Sequence, residues 1–287
     1  MNNGKLRLAF LYECRFRNDG PPLYLKTAFA RNLEELGLVE VRHYVPGDEY
    51  RGGKFDWFIW PDHGEDALPV PQYKCPSPSI YWCSDSHLGI EYRLNKAKEF
   101  DVVFLTIQKH IPIFKEHLGH NRVYWLPHAG EPTCYKPESI VKKYDVCFVG
   151  YLPTEERIVL LDRLFKEFPN FWYGQRFFEE ASHIYSMSKI AFNCSVADEA
   201  NMRAFEIPLS GTLLLTDYSR ELVELGFKDN VNVVFYSDEK EMVDKVRFFL
   251  KEDVVREKIA KAGYELVLKQ HTYLDRAKKI MEIVRSL

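Results

Sequence analysis

The sequence lacks the cysteine spacings that cross-link a small domain or hold a metal ion. Its six cysteines stand at positions 14, 75, 83, 134, 147 and 194, and no two of them form a C-x-x-C pair. That spacing fits neither a zinc framework nor a compact disulfide scaffold. Cys147 and Cys194 lie in apolar, strand-like runs, where buried thiols are common. The pattern therefore predicts reduced, structural cysteines in a cytoplasmic protein.

The chain also lacks long runs of basic or of apolar residues. Its 39 Lys and Arg against 42 Asp and Glu give a formal net charge of −3, without the clustered positive charge that duplex nucleic acid requires. No stretch reaches the roughly 18 uninterrupted apolar residues of a membrane helix, and the start MNNGKLRLAFLYE has no signal-peptide core. We therefore expect no transmembrane segment and no strong nucleic-acid partner, while the oligomeric state stays open.

Three common nucleotide and hydrolase motifs are missing. A GxGxxG loop should follow the first strand of a dinucleotide-binding domain, but the sequence has ECRFRNDGPPLY in the first half and VGYLPTEER in the second. A Walker A loop and a GxSxG nucleophile turn are absent as well. These absences argue against the commonest NAD-dependent dehydrogenases, P-loop NTPases and esterases.

What the sequence does contain is an alternation of strand and helix patterns along 287 residues, of which 46% are hydrophobic. The length is sufficient for two domains, and the alternation predicts an α/β fold in which helices cover both faces of parallel sheets. Strands are predicted at 6–13, 39–45, 55–60, 79–85, 101–107, 121–128, 144–150, 170–175, 189–195, 212–217 and 232–237. Helices are predicted at 23–37, 91–100, 109–119, 154–168, 178–188, 201–211, 219–226, 239–252, 254–270 and 272–287.

The segment HAGEPTCYKPESIVKK, residues 128–143, has two prolines and no periodicity, and it divides the chain nearly in half. We interpret it as the connection between two Rossmann-like domains. The predicted organisation is an amino-terminal domain over 1–128, a linker over 129–143, a carboxy-terminal domain over 144–271 and a final helix over 272–287.

Polar residues that follow the predicted strands are candidates for a ligand site, because open α/β sheets bind ligands at the carboxyl ends of their strands. Two domains that face each other across a cleft would place the candidates of the first half opposite those of the second. The candidates are Glu13, Arg15, Gly20, Pro21, Pro22, Asp62, His63, Gly64, Asp85, Ser86, His87, Gly150, Tyr151, Gln175, Asn193, Ser195, Asp217 and Tyr218.

The run ADEANMRAFEIPLSGTLLLTD places several charges directly before a buried strand. A helix that starts near Asn201 would point its amino end at the strand ends, where free N–H groups favour an anion such as a pyrophosphate. Arg203 adds positive charge there, and a carboxylate such as Glu206 can accept two hydrogen bonds from a ribose diol. The alternative is that Asp198 and Glu199 merely cap the helix.

Three segments resemble those of a known enzyme family. PHAGEPTCYKP is close to the PNGVDxxxFxP linker of many two-domain glycosyltransferases, and the tail GYELVLKQHTYLDRAKKI resembles an HTYxxR ending. Many such enzymes also carry two glutamates eight positions apart, the second five residues before a glycine. Here Glu206 precedes Gly211 by five, and the first acid is Asp198, with Glu199 as a rival one residue out of register. The chain thus resembles GT-B glycosyltransferases, most closely the spore-maturation (CgeB-like) family.

The resemblance implies transfer of a sugar from a nucleotide-diphosphate sugar to an acceptor that is a glycan, a small molecule or a protein. It implies two Rossmann-like domains facing across a cleft, with the final helix crossing back to the amino-terminal domain. It further implies no metal and no cofactor besides the nucleotide-sugar substrate, and the paired acids favour retention of the anomeric configuration. Two alternatives stay open: a non-catalytic protein that binds a nucleotide sugar or glycan, and a sugar-nucleotide epimerase or hydrolase of the same shape.

Site roles also follow from the resemblance. On the donor side, Glu206 would bind the ribose and Asp198 the sugar hydroxyls, and a second group would lie near the diphosphate or line the donor site: Glu199, Asn201, Arg203, Gly150, Tyr151, Arg157 and Asn193. On the acceptor side, Asp85 or His87 would take the acceptor's proton or contact the sugar, with His63, Asp62 and Gly20 nearby. The alternative for the acceptor-side residues is ordinary turn chemistry.

Overall fold

A computed structural model describes residues 6–11, 39–44, 55–62, 75–151, 154–196 and 198–287. The chain forms two compact units. The first unit combines Met1–Pro127 with Tyr273–Leu287, and the second is the continuous segment His128–Thr272. The final helix is therefore part of the first unit.

Strands and helices alternate through the described residues. The strands are β1 (Leu6–Leu11), β2 (Val39–Tyr44), β3 (Trp57–Pro61), β4 (Ser79–Cys83), β5 (Val102–Leu105), β6 (Val123–Trp125), β7 (Tyr144–Val149), β8 (Phe171–Gly174), β9 (Ser188–Asn193), β10 (Leu213–Asp217) and β11 (Val234–Tyr236). The helices are α1 (Ile90–Ala97), α2 (Ile111–Leu118), α3 (Glu155–Glu167), α4 (Phe178–Ser186), α5 (Arg203–Leu209), α6 (Arg220–Glu224), α7 (Glu239–Lys251), α8 (Asp253–Gln270) and α9 (Tyr273–Ser286).

Both sheets are parallel, as predicted from the alternation. The first has the strand order β2-β1-β3-β4-β5-β6 and the second β11-β10-β9-β7-β8. In each sheet the second strand lies on one side of the first and the third strand on the other. The order therefore reverses between β1 and β3 and again between β7 and β9, which is where sheets of this kind bind ligands.

The central strand β7 is buried on both faces, as its continuous apolar sequence predicts. Cys147 and Val149 pack in one cluster with residues of α4 and α5. Val146 and Phe148 point the other way and pack with residues of α3 and α7. The alternation of side chains along β7 thus joins two apolar layers, and Phe148 belongs to the layer under α3.

The helix that precedes β10 is shorter than predicted. It covers Arg203–Leu209 rather than 201–211, and Met202 occupies its N-cap without a side-chain hydrogen bond. Gly211 has a φ of 72°, a left-handed conformation that ends helices and suits glycine.

Two further predictions concern the whole chain. Among the described residues, the cysteines form no disulfide: Cys75, Cys83, Cys134, Cys147 and Cys194. No helix in the described ranges is both long and apolar enough to cross a membrane. The predicted helix at 23–37 lies outside the described residues.

Candidate functional site

The reversal point of the second sheet carries the densest group of predicted site residues. Gly150 and Tyr151 follow β7, and Asn193 is the last residue of β9. Arg157 reaches this point from α3 and Arg203 from α5, so residues distant in sequence meet at the carboxyl ends of two adjacent strands. We call Gly150, Arg157, Asn193, Asn201, Arg203 and Glu206 the β7–β9 site.

Two arginines of the β7–β9 site lie over one aromatic ring. The guanidinium carbon of Arg203 is 5.1 Å from the centroid of the Phe148 ring, and that of Arg157 is 5.6 Å from the same centroid. Both distances are within the range of cation–π attraction. Phe148 itself is completely buried, so the ring is a fixed support for both cations.

Arg157 is almost fully buried and is held by backbone carbonyls. Its Nη1 donates to the Tyr151 carbonyl at 3.1 Å and its Nη2 to the Cys194 carbonyl. Its Nε–H has no partner within the described part of the chain. Burial first, and then the positive charge of Arg203, lower the pKa of Arg157 below its usual value. The arginine therefore carries its charge in an unfavourable setting.

Arg203 is partly exposed and is oriented by an amide. Its Nε donates to Asn193 Oδ1 at 2.7 Å, and its Nη2 donates to the Cys194 carbonyl at 3.4 Å. In the described ranges no carboxylate lies within ion-pair distance of Arg203 or Arg157, since their polar contacts go to carbonyl and amide oxygens. Buried cations are normally paired, so the buried Arg157, with the partly exposed Arg203 beside it, makes this site attractive to an anion.

Asn193 holds other side chains of the site in place through its amide, and its role toward a donor stays a prediction. Its Oδ1 accepts from Arg203 and from Asn201 Nδ2, the latter at 3.2 Å, while its Nδ2 donates to Thr216 Oγ1 at 3.0 Å. Because arginine only donates, the oxygen of the Asn193 amide must face Arg203. The same oxygen accepts from Asn201, so the amide nitrogen of Asn201 must face Asn193. The Oδ1 of Asn201 is left buried and without a partner among the described residues.

Gly150 leaves the space that the guanidinium of Arg203 occupies. An added Cβ at Gly150 would lie 2.6 Å from Nη1 of Arg203, a distance that real Cβ atoms do not show. Gly150 also has a φ of 153°, which other residues rarely adopt. The backbone after β7 therefore approaches the guanidinium as closely as it does only because no side chain is present.

Glu206 lies in the first turn of α5 and is buried. Burial raises the pKa of its carboxyl to about 7, against the opposing effects of the Tyr135 hydroxyl and the positive charge of Arg203. The carboxylate also raises the pKa of Tyr185, after the larger effect of that residue's own burial. The pKa of Glu206 therefore lies near neutral pH, and its carboxyl interacts with the positive charge of Arg203.

The other predicted acids are placed differently. Asp198 is exposed, has a left-handed φ of 52° that aspartate tolerates, and makes no hydrogen bond or ion pair with another described residue. Glu199 is buried, and its carbonyl accepts from the N–H of Asn201 at 3.0 Å. The structure therefore does not join either acid directly to the arginines, and their roles toward a sugar stay predictions.

The amino end of α5 is accessible, as the sequence-based hypothesis requires. Asn201, Met202 and Arg203 are all partly exposed rather than sealed in the core. The helix has only seven residues, however, which gives it a short array of aligned peptide dipoles. An anion at this helix end stays a prediction, and the formal positive charges beside it are those of Arg157 and Arg203.

In the first unit, Asp62 follows β3 and is engaged by protein groups. Its Oδ2 accepts from Arg93 Nε and from the Tyr81 hydroxyl, both at 2.8 Å. Arg93 is 1% exposed, so this is a buried ion pair that ties β3 and β4 to α1. The acceptor-side role predicted for Asp62 stays a prediction.

The loop after β4 holds the remaining predictions of the first unit. Burial lowers the pKa of His87, while Asp85 acts in the opposite direction. Within the described ranges no hydrogen bond joins the two, and His87 Nδ1 is buried without a partner there. Ser86 Oγ instead lies 2.8 Å from His110 Nδ1. His63 and Gly20 lie outside the described residues.

Sequence reasoning missed two residues of the second unit. The apolar strand sequence predicts only that Phe148 is a core residue. The fold shows in addition that two arginines lie over its ring. Tyr135 occupies the aromatic position of the linker motif, but its contact with Glu206 joins residues far apart in sequence. The linker motif has phenylalanine at this position, so the tyrosine hydroxyl is the sequence feature that could have indicated a polar role for residue 135.

A family model described as "Glycosyl transferase-like" matches residues 157–282, which include Arg157, Asn193, Asn201, Arg203 and Glu206. The match covers most of the second unit from α3 onward and extends into α9. A comparison with curated proteins gives no match.

Solved structures resemble the chain over nearly its whole length. HepE from Anabaena, in complex with UDP and glucose, has a TM-score of 0.70 at 12% identity, covering 98% of this chain and 100% of its own. An alpha-glucosyltransferase in complex with UDP and a 13-mer DNA has a TM-score of 0.69 at 10% identity, and the match covers 98% of this chain and 100% of that enzyme. Sucrose-phosphate synthase from Thermosynechococcus elongatus has a TM-score of 0.64 at 10% identity, covering 98% and 99%. At these identities the likeness is one of fold, and it shows that the chain has the GT-B fold.

Proposed function

We propose that the protein is a glycosyltransferase that moves a sugar from a nucleotide-diphosphate sugar to an acceptor hydroxyl. The observation that carries the proposal is the pair of guanidinium groups over Phe148, neither of which has a carboxylate of the described residues within ion-pair distance. A diphosphate is the anion that suits this arrangement, because its oxygens accept charge-assisted hydrogen bonds from arginine. The family match over residues 157–282 supports the same conclusion.

The chemistry follows from the leaving group. The bond between the anomeric carbon and the diphosphate oxygen breaks, and its electron pair leaves with the diphosphate. The acceptor oxygen forms the new bond to the anomeric carbon, and its proton passes to an oxygen of the departing diphosphate. Negative charge therefore grows on the diphosphate in the transition state, and fixed positive charge from Arg157 and Arg203 stabilises it. This electrostatic role supports independence from a metal ion, which remains part of the proposal.

The finer assignments extend the proposal. Glu206 binds the ribose diol, Asp198 the donor sugar, and Asn201 the region of the diphosphate. The protein acts as a cytoplasmic hexosyltransferase of the CgeB-like type, with retention of the anomeric configuration. HepE and the alpha-glucosyltransferase were solved with UDP, so UDP is the first nucleotide to test on this chain.

The test measures binding and turnover separately. Thermal unfolding with UDP, GDP, TDP and their glucose derivatives should show stabilisation by one nucleotide family, because ligands that bind only the native state raise Tm. The preferred donor should then release its nucleoside diphosphate in an acceptor-dependent manner. Stabilisation without release would favour a non-catalytic binder, and release without any acceptor would favour a hydrolase. No stabilisation by any of these nucleotides contradicts the proposal.

Gly150→Ala is expected to weaken UDP binding at least tenfold. An ideal Cβ at residue 150 would lie 2.6 Å from Nη1 of Arg203, so the alanine side chain displaces that guanidinium nitrogen. Loss of one charge-assisted hydrogen bond costs roughly 1.5–3 kcal/mol, about 10- to 100-fold in affinity. Isothermal titration of UDP measures the effect.

The matched control is Gly119→Ala. Gly119 also has a positive φ, of 67°, but an added Cβ there meets no atom within 4 Å. Both variants therefore carry backbone strain, and only Gly150→Ala displaces the guanidinium. Equal UDP affinity in the two variants would show that the contact between Gly150 and Arg203 has no part in binding.

A further inference from the structure

Asp217, the last residue of β10, holds the chain where it leaves the neighbouring strand β9. Its Oδ1 accepts from the N–H of Ser195 at 2.9 Å and from the Thr216 hydroxyl at 3.0 Å. Its Oδ2 accepts from the Ser195 hydroxyl. A carboxylate offers two acceptor oxygens, and Ser195 uses both of them. The carboxylate therefore fixes the backbone and the side chain of Ser195 together.

The N–H of Ser195 belongs to the same peptide group as the carbonyl of Cys194. That carbonyl accepts from Nη2 of Arg157 and, at 3.4 Å, from Nη2 of Arg203. The Cys194–Ser195 peptide group thus has a carboxylate on its N–H side and two guanidinium groups on its carbonyl side. Because a peptide group is planar, a bond that fixes its N–H also fixes the direction of its carbonyl. Asp217 is in this way connected to both arginines of the β7–β9 site.

The Cys194 carbonyl is the acceptor that the two arginines share. Their other polar contacts within the described ranges are separate, since Arg157 donates to the Tyr151 carbonyl at 3.1 Å and Arg203 donates to Asn193 Oδ1 at 2.7 Å. The shared carbonyl is therefore the contact that fixes the two guanidinium groups relative to each other.

We propose that Asp217 is a positioning residue that sets the spacing of the two guanidinium groups for a diphosphate. This inference rests on the proposed function, in which Arg157 and Arg203 bind the diphosphate of the donor. Without the carboxylate, the N–H and the hydroxyl of Ser195 lose their acceptor, and the peptide group is free to turn its carbonyl away from the arginines. The hydrogen bond to the carboxylate also polarises the peptide group and strengthens its carbonyl as an acceptor. A diphosphate gains most from two cations that are already held at the right separation.

The direction of the effect distinguishes positioning from charge. Asp217 is negative, so its charge alone repels a diphosphate bound nearby, and removal of that charge should strengthen UDP binding. Loss of the spacing between the arginines should instead weaken it. A fall in affinity on removal of the carboxylate therefore reports on geometry.

The test is the UDP affinity of Asp217→Ala and Asp217→Asn, measured by isothermal titration. Alanine removes both acceptor oxygens, and affinity should fall about tenfold, the scale of one hydrogen bond lost at a charged group. Asparagine retains an oxygen for the Ser195 N–H and can donate to the Ser195 hydroxyl, so affinity should stay within about twofold of wild type. Wild-type or tighter binding by Asp217→Ala overturns the inference, as does equal weakening in the two variants.

The matched control is Asp229→Ala. The Asp229 carboxylate also accepts from a backbone N–H at 2.9 Å, that of Phe235 in β11, and it pairs with Lys245 of α7 at 3.7 Å. This variant loses a comparable hydrogen bond and leaves the Cys194–Ser195 peptide group untouched, so its UDP affinity should equal that of the wild type. A similar loss in Asp229→Ala would show that the effect is not specific to Asp217 and would overturn the inference.

Nitrogen-15 NMR of the arginine side chains tests the positioning without a ligand. The signals of Arg157 and Arg203, assigned by substitution of each arginine, should shift in Asp217→Ala and stay unchanged in Asp229→Ala. Ser195→Ala loses the hydroxyl bond and retains the N–H bond, so it should shift the same signals by less, and it serves as the test if Asp217→Ala does not fold. Unchanged signals contradict the positioning role alone, whereas a wild type that binds none of the nucleotides contradicts the proposed function.

Discussion

Arg203→Met is expected to weaken UDP binding roughly 100-fold while leaving the ligand-free protein at least as stable as the wild type. The lost guanidinium is the partly exposed member of the pair over Phe148, so it is the one placed to contact a diphosphate. Charge-assisted hydrogen bonds contribute roughly 1.5–3 kcal/mol each, and one bond at the upper end of that range accounts for the expected loss of roughly 100-fold. Methionine retains the apolar contact with the ring. Removal of a positive charge beside Arg157 also relieves repulsion in the free protein.

The control for this prediction is Arg163→Met. Arg163 lies on α3 and is exposed, with an ion pair to Glu167 at 2.8 Å. Exposed pairs of this kind contribute little, so neither Tm nor UDP affinity should change appreciably. Calorimetric titration and thermal unfolding measure both variants. Wild-type affinity in Arg203→Met would remove the main support for an anion at this site.

Glu206→Gln is expected to stabilise the protein at alkaline pH by on the order of 3 kcal/mol. Burial raises the pKa of Glu206 from 4.5 to about 7, so the folded protein binds this proton more tightly than the unfolded chain does. Between about pH 4.5 and 7 the free energy of unfolding therefore falls as pH rises, and the whole loss is present above pH 7. Glutamine has no proton to lose and removes this dependence.

The measurement is the free energy of unfolding of wild type and Glu206→Gln at several pH values. The two proteins should differ little near pH 4, and the variant should be the more stable near pH 8. Glu206→Ala should in addition abolish the nucleotide-induced rise in Tm, because no carboxylate remains to accept from the ribose. Parallel stability curves for wild type and Glu206→Gln would contradict the raised pKa, and a retained rise in Glu206→Ala would contradict the ribose role.

Much of the fold was predictable because its signals are local. The apolar run of β7 and the acidic start of α3 after Thr154 predicted elements that the structure places within one residue of the expected bounds. Thr154, the first residue of the helix predicted at 154–168, accepts from the N–H of Arg157 and so caps the helix. Alternation of such elements is sufficient to predict parallel sheets and a site at their strand ends.

The arrangement inside the site was less predictable because it depends on contacts between distant segments. The position of Arg203 over Phe148 depends on the crossing of α5 and β7, which periodicity does not encode. The ion pair between Asp62 and Arg93 likewise joins the end of β3 to α1, which follows the next strand, β4. Residue types at strand ends therefore indicated where to expect a ligand site, and the fold decided which of these residues meet.

The buried ring of Phe148 has a consequence for how substitutions act on this region. One flat hydrocarbon surface supports two cations, so a tilt or loss of that surface displaces both together. Changes beneath it, in the layer it shares with α3 and α7, would reach the proposed ligand without touching it. If a diphosphate binds here, the apolar interior takes part in its recognition, because the position of the ring affects both cations.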